Sequence, residues 1–306
     1  MEKKKITDNN ILNQLKKIGK DRKEIFTLSD GQARLVVNNC TTMLNEVKAN
    51  FSLGPLESYI LGQSYIAGSL ISSNIKEKDR IQLNIECGGP IKGISVEAWA
   101  NGAIRGYLNN NPIPWDKEEP PTMDELYGPG FLTITKLLEG YKTPFSGQVM
   151  MEYSSLAKNL AVYYQKSEQT PTVFAIDIKT NKNGQIFGAG GFFVQLMPEC
   201  SEEFIAKLET LVKGLPPIGE SISEGIDIRD YIEENFASLK PKYLDTKPVM
   251  FYCPCLRDNF KGFLKGLPEE EKKAIFEDNK FPLKVKCFNC GTDYSFEKSE
   301  VKEIFR

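Results

Sequence analysis

Histidine is absent from this chain. That absence removes the Ser-His-Asp and Cys-His nucleophilic arrangements and the usual histidine-rich catalytic metal site. Enzymes built on carboxylates or lysine stay open, but a protein that is not an enzyme is the expectation. A zinc site here could only be an all-thiolate one. Long apolar runs are missing too: no stretch approaches the roughly eighteen residues that a membrane span needs. Ile6 to Lys20 alternates apolar with charged and amide residues, so it offers no apolar region of a signal peptide. A dominant charge of one sign is also lacking. The chain carries 39 basic and 41 acidic residues, a net charge of −2 and a pI near 5.6, where a nucleic-acid-binding domain usually shows a basic stripe. No nucleic acid and no membrane partner are therefore expected, Lys3-Lys4-Lys5 reads as a solvated terminus, and the expected compartment is the cytoplasm.

What is present is an ordinary globular composition, 41% apolar and 26% charged over 306 residues, enough for more than one domain. Seven cysteines stand out. Cys40, Cys87 and Cys200 are scattered beside apolar segments and read as buried small side chains. The other four form two close pairs, Cys253-Pro254-Cys255 and Cys287-Phe288-Asn289-Cys290, separated by residues 256–286. In a reducing compartment such clusters suggest metal or redox chemistry rather than structural disulfides. Two close pairs at a domain-sized separation are specific for one Zn²⁺ held by Cys253, Cys255, Cys287 and Cys290. A section of about sixty residues is near the lower limit for an independent core, and a bound metal supplies the missing cross-link. The staple reading needs nothing more. The CxC half keeps a redox reading open, because only Pro254 separates its thiols and a disulfide there would close a small, strained and labile ring.

The first two-thirds of the chain read as α+β. Gly54-Pro55 opens a helix with Leu56, Tyr59, Ile60, Ile66, Ala67, Leu70 and Ile71 on one broad face. Ile81 to Cys87, Ile94 to Ala98 and Ile104 to Leu108 alternate as strands, with an Asn101-Gly102 turn between the last two, and predict an antiparallel meander. Asn109 to Pro121 reads as loop. Phe131 to Leu138 and Gly147 to Met151 follow as strands, then a helix capped at Ser154-Ser155, then a hairpin of Thr172–Lys179 and Ile186–Met197. Gly188, Gly190 and Gly191 in its second arm suggest a bulge or a close backbone approach. Ser201 predicts the cap of a helix carrying Phe204, Leu208, Leu211 and Val212. After a segment rich in glycine, proline and serine, Gly214 to Gly225, a second amphipathic helix begins beyond Asp227 with Ile228, Tyr231, Ile232, Phe236 and Leu239. Such short helices must rest their apolar faces on something else. Towards the C-terminus, Pro268 at an N1 position and Glu269-Glu270-Glu271 start a helix, and strands flank the second cysteine pair.

These residues resemble the heat-shock protein 33 family of redox-regulated holdase chaperones. The CxC, long gap and CxxC match its zinc motif, down to Cys290-Gly291 and Tyr294-x-Phe296. Phe26 with Asp30-Gly31 and Arg34, Leu61-Gly62, Gly89-Pro90, Arg105-Gly106-Tyr107, Ser167-Glu168-Gln169-x-Pro171 and Ala189-Gly190-Gly191 through Gln195-x-Met197-Pro198 match its landmarks from about Phe26 to Phe305. Lys48-Ala49-Asn50 replaces the family's usual basic pair, and the loop around Asn109 to Pro121 is not typical of it. The resemblance implies an N-terminal mixed sheet-and-helix core (residues 1–198), an amphipathic helical linker (199–246) and a C-terminal zinc-binding redox switch (247–306). It further implies that oxidation forms Cys253–Cys255 and Cys287–Cys290 disulfides, releases zinc and unfolds the linker. Phe204, Leu208, Ile228, Tyr231, Ile232 and Phe236 would then hold unfolding client proteins without ATP. The reduced protein would be a monomer and the oxidised one a homodimer. The alternative is a zinc-stapled binding module with no redox switching.

Overall fold

The structure is a computed structural model that describes residues 1–76 and 78–306. Two sheets sandwich one long helix. The first sheet contains β1 (Arg22–Leu28), β2 (Ala33–Asn39), β8 (Thr172–Thr180), β9 (Ile186–Leu196) and β10 (Lys242–Pro248), in the order β10-β1-β2-β9-β8, antiparallel throughout. The second contains β3 (Arg80–Cys87), β4 (Gly93–Trp99), β5 (Ala103–Leu108), β6 (Gly130–Leu137), β7 (Phe145–Met150) and β11 (Met250–Phe251), in the order β11-β5-β4-β3-β6-β7. Its pairs are antiparallel except β11, which runs parallel to β5. The expected meander is β3-β4-β5, with Gly102 in the left-handed region at its last turn.

Helix α3 (Pro55–Ile71) fills the space between the sheets, preceded by α1 (Asn9–Lys17) and α2 (Thr41–Phe51). The expectation of one apolar face on α3 is too narrow. Every residue except Pro55, Leu56, Tyr59 and Gln63 is buried, while Leu56 is only half-buried and Tyr59 is exposed. A helix covered by sheet on two sides cannot show a polar stripe, which is why Gly62, Gly68, Ser64 and Ser69 stand on it beside Ile and Leu.

The first sheet is apolar on both faces, and the period of two sorts its residues. Ile25, Val36 and Phe193 face α3 in one core; Phe26, Leu35, Val37, Phe192 and Val194 form a second core on the other side. That second face is covered by α6 (Glu202–Lys213), α7 (Ile218–Ser223) and α8 (Ile228–Asn235), which follow α4 (Met123–Tyr127) and α5 (Leu156–Lys166) in the chain. Ser201, Asp227 and Ser155 cap their helices through side-chain oxygens. The stretch from Gly214 to Gly225, expected as a connector, contains α7. Close approach explains it: a Cβ on Gly188 would lie 2.6 Å from Ser223 N, so only a bare strand lets this short helix settle on β9.

Past β11 come α9 (Arg257–Lys265), α10 (Glu269–Asp278), the hairpin β12 (Leu283–Lys286) and β13 (Asp293–Phe296), and α11 (Lys298–Ile304). Helices α9 and α11 were not legible in the sequence, and Pro268 stands at the N-cap of α10, one position before N1. Of the scattered cysteines, Cys40 is buried as expected, but Cys87 and Cys200 are half-buried.

Candidate metal centre

Two tight turns bring the four cysteines together. After β11 the chain continues against β5, with Tyr252 N donating to Ile104 O at 3.0 Å, and this delivers Cys253-Pro254-Cys255 to the sheet edge. The second pair sits on the turn between β12 and β13. Gly291 N donates to Cys287 O at 2.8 Å and Cys287 N to Thr292 O at 2.9 Å. Gly291 has φ of +69°, and a Cβ there would lie 3.0 Å from both Asn50 O and Phe51 Cδ1, so glycine is favoured on both counts.

The four sulfurs all lie within 4.8 Å of one another. Cys253 Sγ is 4.0 Å from Cys287 Sγ, and Cys255 Sγ is 3.5 Å from Cys290 Sγ. Cys253, Cys287 and Cys290 are buried and Cys255 is half-buried. Hydrogen bonds from Cys287 and Cys290, then from Arg105, hold the Cys253 thiol far below its usual range. Its thiolate in turn pushes Cys287 up to about 11 and Cys290 higher still. One thiolate solvated by its neighbours' protons is what four crowded thiols do; a cation at their centre displaces those protons. The donor set is therefore positioned to bind a metal ion.

Residues far away in sequence complete the site. Arg105 Nη1 donates to Cys253 Sγ at 3.4 Å while its Nε and Nη2 bond Glu97 at 2.7 and 2.6 Å. Gly106 N donates to Asn289 O at 3.1 Å, and the Tyr107 ring meets Phe288 at a tilt, with centroids 6.0 Å apart. Asn50 Nδ2 donates to Cys290 O at 2.8 Å, and Tyr294 OH lies 3.2 Å from Cys255 Sγ. Arg105-Gly106-Tyr107 was legible as a motif but not as a partner of the cysteines; no local pattern announces a contact across 148 residues.

The structure places the other candidate residues elsewhere. Phe204, Leu208, Ile228, Tyr231, Ile232 and Phe236 are between 0 and 4% exposed, packed against Phe26, Leu35, Phe192 and Val194. Phe236 meets Phe192 edge-on at 5.6 Å, and Tyr231 OH donates to Pro216 O at 2.8 Å. These residues lie on one apolar face, separate from the cysteine centre. Strand β10, running along β1, leads from that helical layer to β11 and Cys253.

Comparisons agree with this architecture. The sequence profile described as Hsp33 protein matches residues 21–297. The 33 kDa chaperonin of Bacillus velezensis is 32% identical over 279 residues, covering 90% of this chain and 94% of the relative. That of Bacillus subtilis is 31% identical over 278 residues, covering 90% and 94%. That of Clostridium beijerinckii is 30% identical over 289 residues, covering 93% and 98%. Among solved structures, the 33 kDa chaperonin (heat shock protein 33 homolog) of Thermotoga maritima superposes with a TM-score of 0.83 at 26% identity, covering 94% of this chain and 98% of that one. With its four-cysteine centre and two-sheet core, the chain belongs to the Hsp33 family of chaperones.

Proposed function

We propose that this protein is an oxidation-activated, ATP-independent holdase of the cytoplasm, with no enzymatic activity of its own. The observation that carries the reading is the pairing of a four-cysteine centre with a buried apolar face, connected along the chain through β10 and then β11. We assign the metal as one zinc ion held by Cys253, Cys255, Cys287 and Cys290. A tetrahedron with Zn–S bonds of about 2.3 Å has sulfur–sulfur edges of about 3.8 Å, and the 3.5 and 4.0 Å separations bracket that edge. Bound there, zinc supplies a cross-link that keeps two otherwise separate turns together.

The chemistry of the switch belongs to the sulfurs. Two thiolates give up two electrons to one equivalent of peroxide, a disulfide forms, and the peroxide oxygens leave as two waters after taking two protons. Within a tetrahedral cluster all pairs are about equally close, so distance does not choose the partners. The family resemblance implies the pairs Cys253–Cys255 and Cys287–Cys290, each within its own turn. Loss of the cross-link frees residues 247–306, pulls on β10 and undocks the linker, residues 199–246, from the core, residues 1–198. Phe204, Leu208, Ile228, Tyr231, Ile232 and Phe236 then become a surface for unfolding clients, and the same exposed apolar area favours homodimers over the reduced monomer. The near-balanced charge speaks for protein clients rather than nucleic acid.

The test is light scattering from a thermally unfolding client enzyme, with the protein either reduced and zinc-loaded or treated with peroxide. Protection by the oxidised form alone is expected. Equal protection by both forms would reject the switch and leave a zinc-stapled binding module.

A further inference from the structure

The first eighteen residues precede the part of the chain that the family profile matches, and the sequence read their lysines as a solvated terminus. Lys3, Lys4 and Lys5 are indeed exposed, and the segment that carries them runs from one functional layer to the other. At one end, Cys253 N donates to Met1 Sδ at 2.9 Å and the Met1 backbone nitrogen donates to Cys255 O at 3.0 Å. Glu2 O accepts from Thr292 Oγ1 at 3.0 Å and from Asn50 Nδ2 at 3.2 Å, the same Asn50 amide that holds Cys290 O. Both cysteine turns are thus bonded to residues 1–2. Lys3 is anchored to α2 by Glu46 at 2.6 Å and lies over the Phe251 ring just before Cys253.

At the other end, Asp8 caps α1 and bonds Gln185. Gln14 is 9% exposed and donates to Phe187 O at 3.1 Å and Ser223 O at 2.7 Å, fastening the last residue of α7 to β9. Ile18 and Leu15 enter the same apolar cluster as Phe204, Tyr231 and Phe236. Between the anchors, residues 4–8 bridge a cavity of about 450 Å³ over α2, lined by Lys4, Lys5, Ile6, Asn45 and Lys48. Lys4 N also donates to Asn50 Oδ1 at 2.7 Å, so the segment is held to α2 along its course as well as at its two ends.

We propose that residues 1–18 are an intramolecular strap that fastens the cysteine centre and the linker helix α7 to each other and thereby sets the threshold for activation. This regulatory role rests on the reading of the cysteine centre as a switch; the mechanical coupling does not. Opening the cysteine turns breaks the bonds to Met1 and Glu2, and a released strap no longer presents Gln14 to Ser223. The reverse also holds, because undocking of α7 loosens the strap over the cysteine turns.

Amide hydrogen exchange on the reduced, zinc-loaded chain tests the coupling without any oxidation. Deleting residues 2–17 is expected to speed exchange roughly tenfold in both cysteine turns and in α7, the ratio that one or two net hydrogen bonds supply. Should that deletion fail to fold, two point variants decide. Lys3→Glu, which sets two carboxylates against each other, is expected to loosen the cysteine turns first and α7 to a lesser degree, with recovery when Glu46→Lys is added. Gln14→Ala is expected to show the opposite gradient. Exchange unchanged in both regions overturns the proposal, as does a uniform rise across the whole molecule. Zinc release during peroxide treatment should also be faster in these variants. If the unmodified chain keeps its zinc while four thiols oxidise, the switch reading fails, and the exchange gradients still judge the strap.

Discussion

Replacing Phe192 with alanine should activate the chaperone while its cysteines stay reduced. Phe192 belongs to the sheet rather than to the linker, so the proposed client-binding side chains are left intact. It is 2% exposed, points into the second core beside Phe26, Leu35 and Val37, and meets Phe236 edge-on at 5.6 Å. Removing a buried phenyl ring costs about 3–5 kcal/mol in transfer and cavity terms, of which an aromatic pair accounts for about 0.5–1.5 kcal/mol. The opposite face of the sheet keeps Ile25, Val36 and Phe193 against α3. The loss therefore falls mainly on the docked layer of three short helices. A layer of short helices held by one apolar face sits at the low end of local stability. A loss of this size is enough to populate its undocked form.

The assay has three parts on the reduced, zinc-loaded variant. Hydrogen exchange should rise in α6, α7 and α8 and stay low in α3 and β3. A dye that reports apolar surface should bind, and aggregation of a thermally unfolding client should be suppressed without oxidant. Zinc and four reactive thiols must still be present, which separates undocking from oxidation. The reasoning is refuted if α3 and β3 lose protection together with the linker helices, because the layer would then be part of one cooperative core. It is equally refuted if the helices undock and no client protection appears.

Two further outcomes follow from charged groups. Arg105→Met removes the guanidinium that donates to Cys253 Sγ, and loss of such an outer hydrogen bond should weaken zinc binding by about 10–100-fold, read by competition with a chromophoric chelator. Lys23 is fully buried, donating to Ser69 O at 3.0 Å and Ser72 Oγ at 2.7 Å, and burial pulls its ammonium down from 10.5 to about 7. Between those two values the unfolded chain holds a proton that the folded one lacks, so stability should rise as pH increases from about 7 towards 10.5. Lys23→Met should flatten that rise and raise the thermal midpoint at pH 7, measured by calorimetry.

How much of this was legible in the sequence depends on where the determining contacts lie. Cysteine pairs two and three residues apart announce their own chemistry, and the meander β3-β4-β5 is written in alternating residues and the Asn101-Gly102 turn. The linker faces were readable because Phe204 and Leu208, or Ile228 and Ile232, repeat at helical spacing. Helix α7 was not, since its settling depends on the bare backbone of Gly188 and Gly190 on another element. Helix α3 looked one-sided because small and apolar residues both count as interior once two sheets cover it. The partners of the cysteines were hidden for the same reason: Asn50 lies 240 residues from Cys290 and Met1 lies 252 from Cys253.

Strand β10 illustrates the limit and also locates the joint between the two halves of the proposed switch. Its side chains are almost all exposed, with no alternation to mark a strand, and its first five residues, 242–246, fall in the segment read as helical linker. It is a strand because β1 offers an unpaired edge, from Arg22 opposite Pro248 to Thr27 opposite Lys242. Backbone bonds to β1, broken in register between Ile25 and Phe26, hold most of it, with Tyr243 edge-on to Phe26 and Arg229 over the Tyr243 ring near its start. An edge strand held this way peels from an end rather than yielding as a unit. The end at Pro248 is fastened to β11 and the cysteine turns, while the end at Lys242 follows directly on the layer that buries Phe236 and Leu239. In the proposed switch, oxidation at the centre would free the end of β10 farthest from the linker helices, and unzipping along β1 would deliver that release to them. A disulfide pinning the middle of β10 to β1 should then let the thiols oxidise and the zinc leave while α8 remains protected.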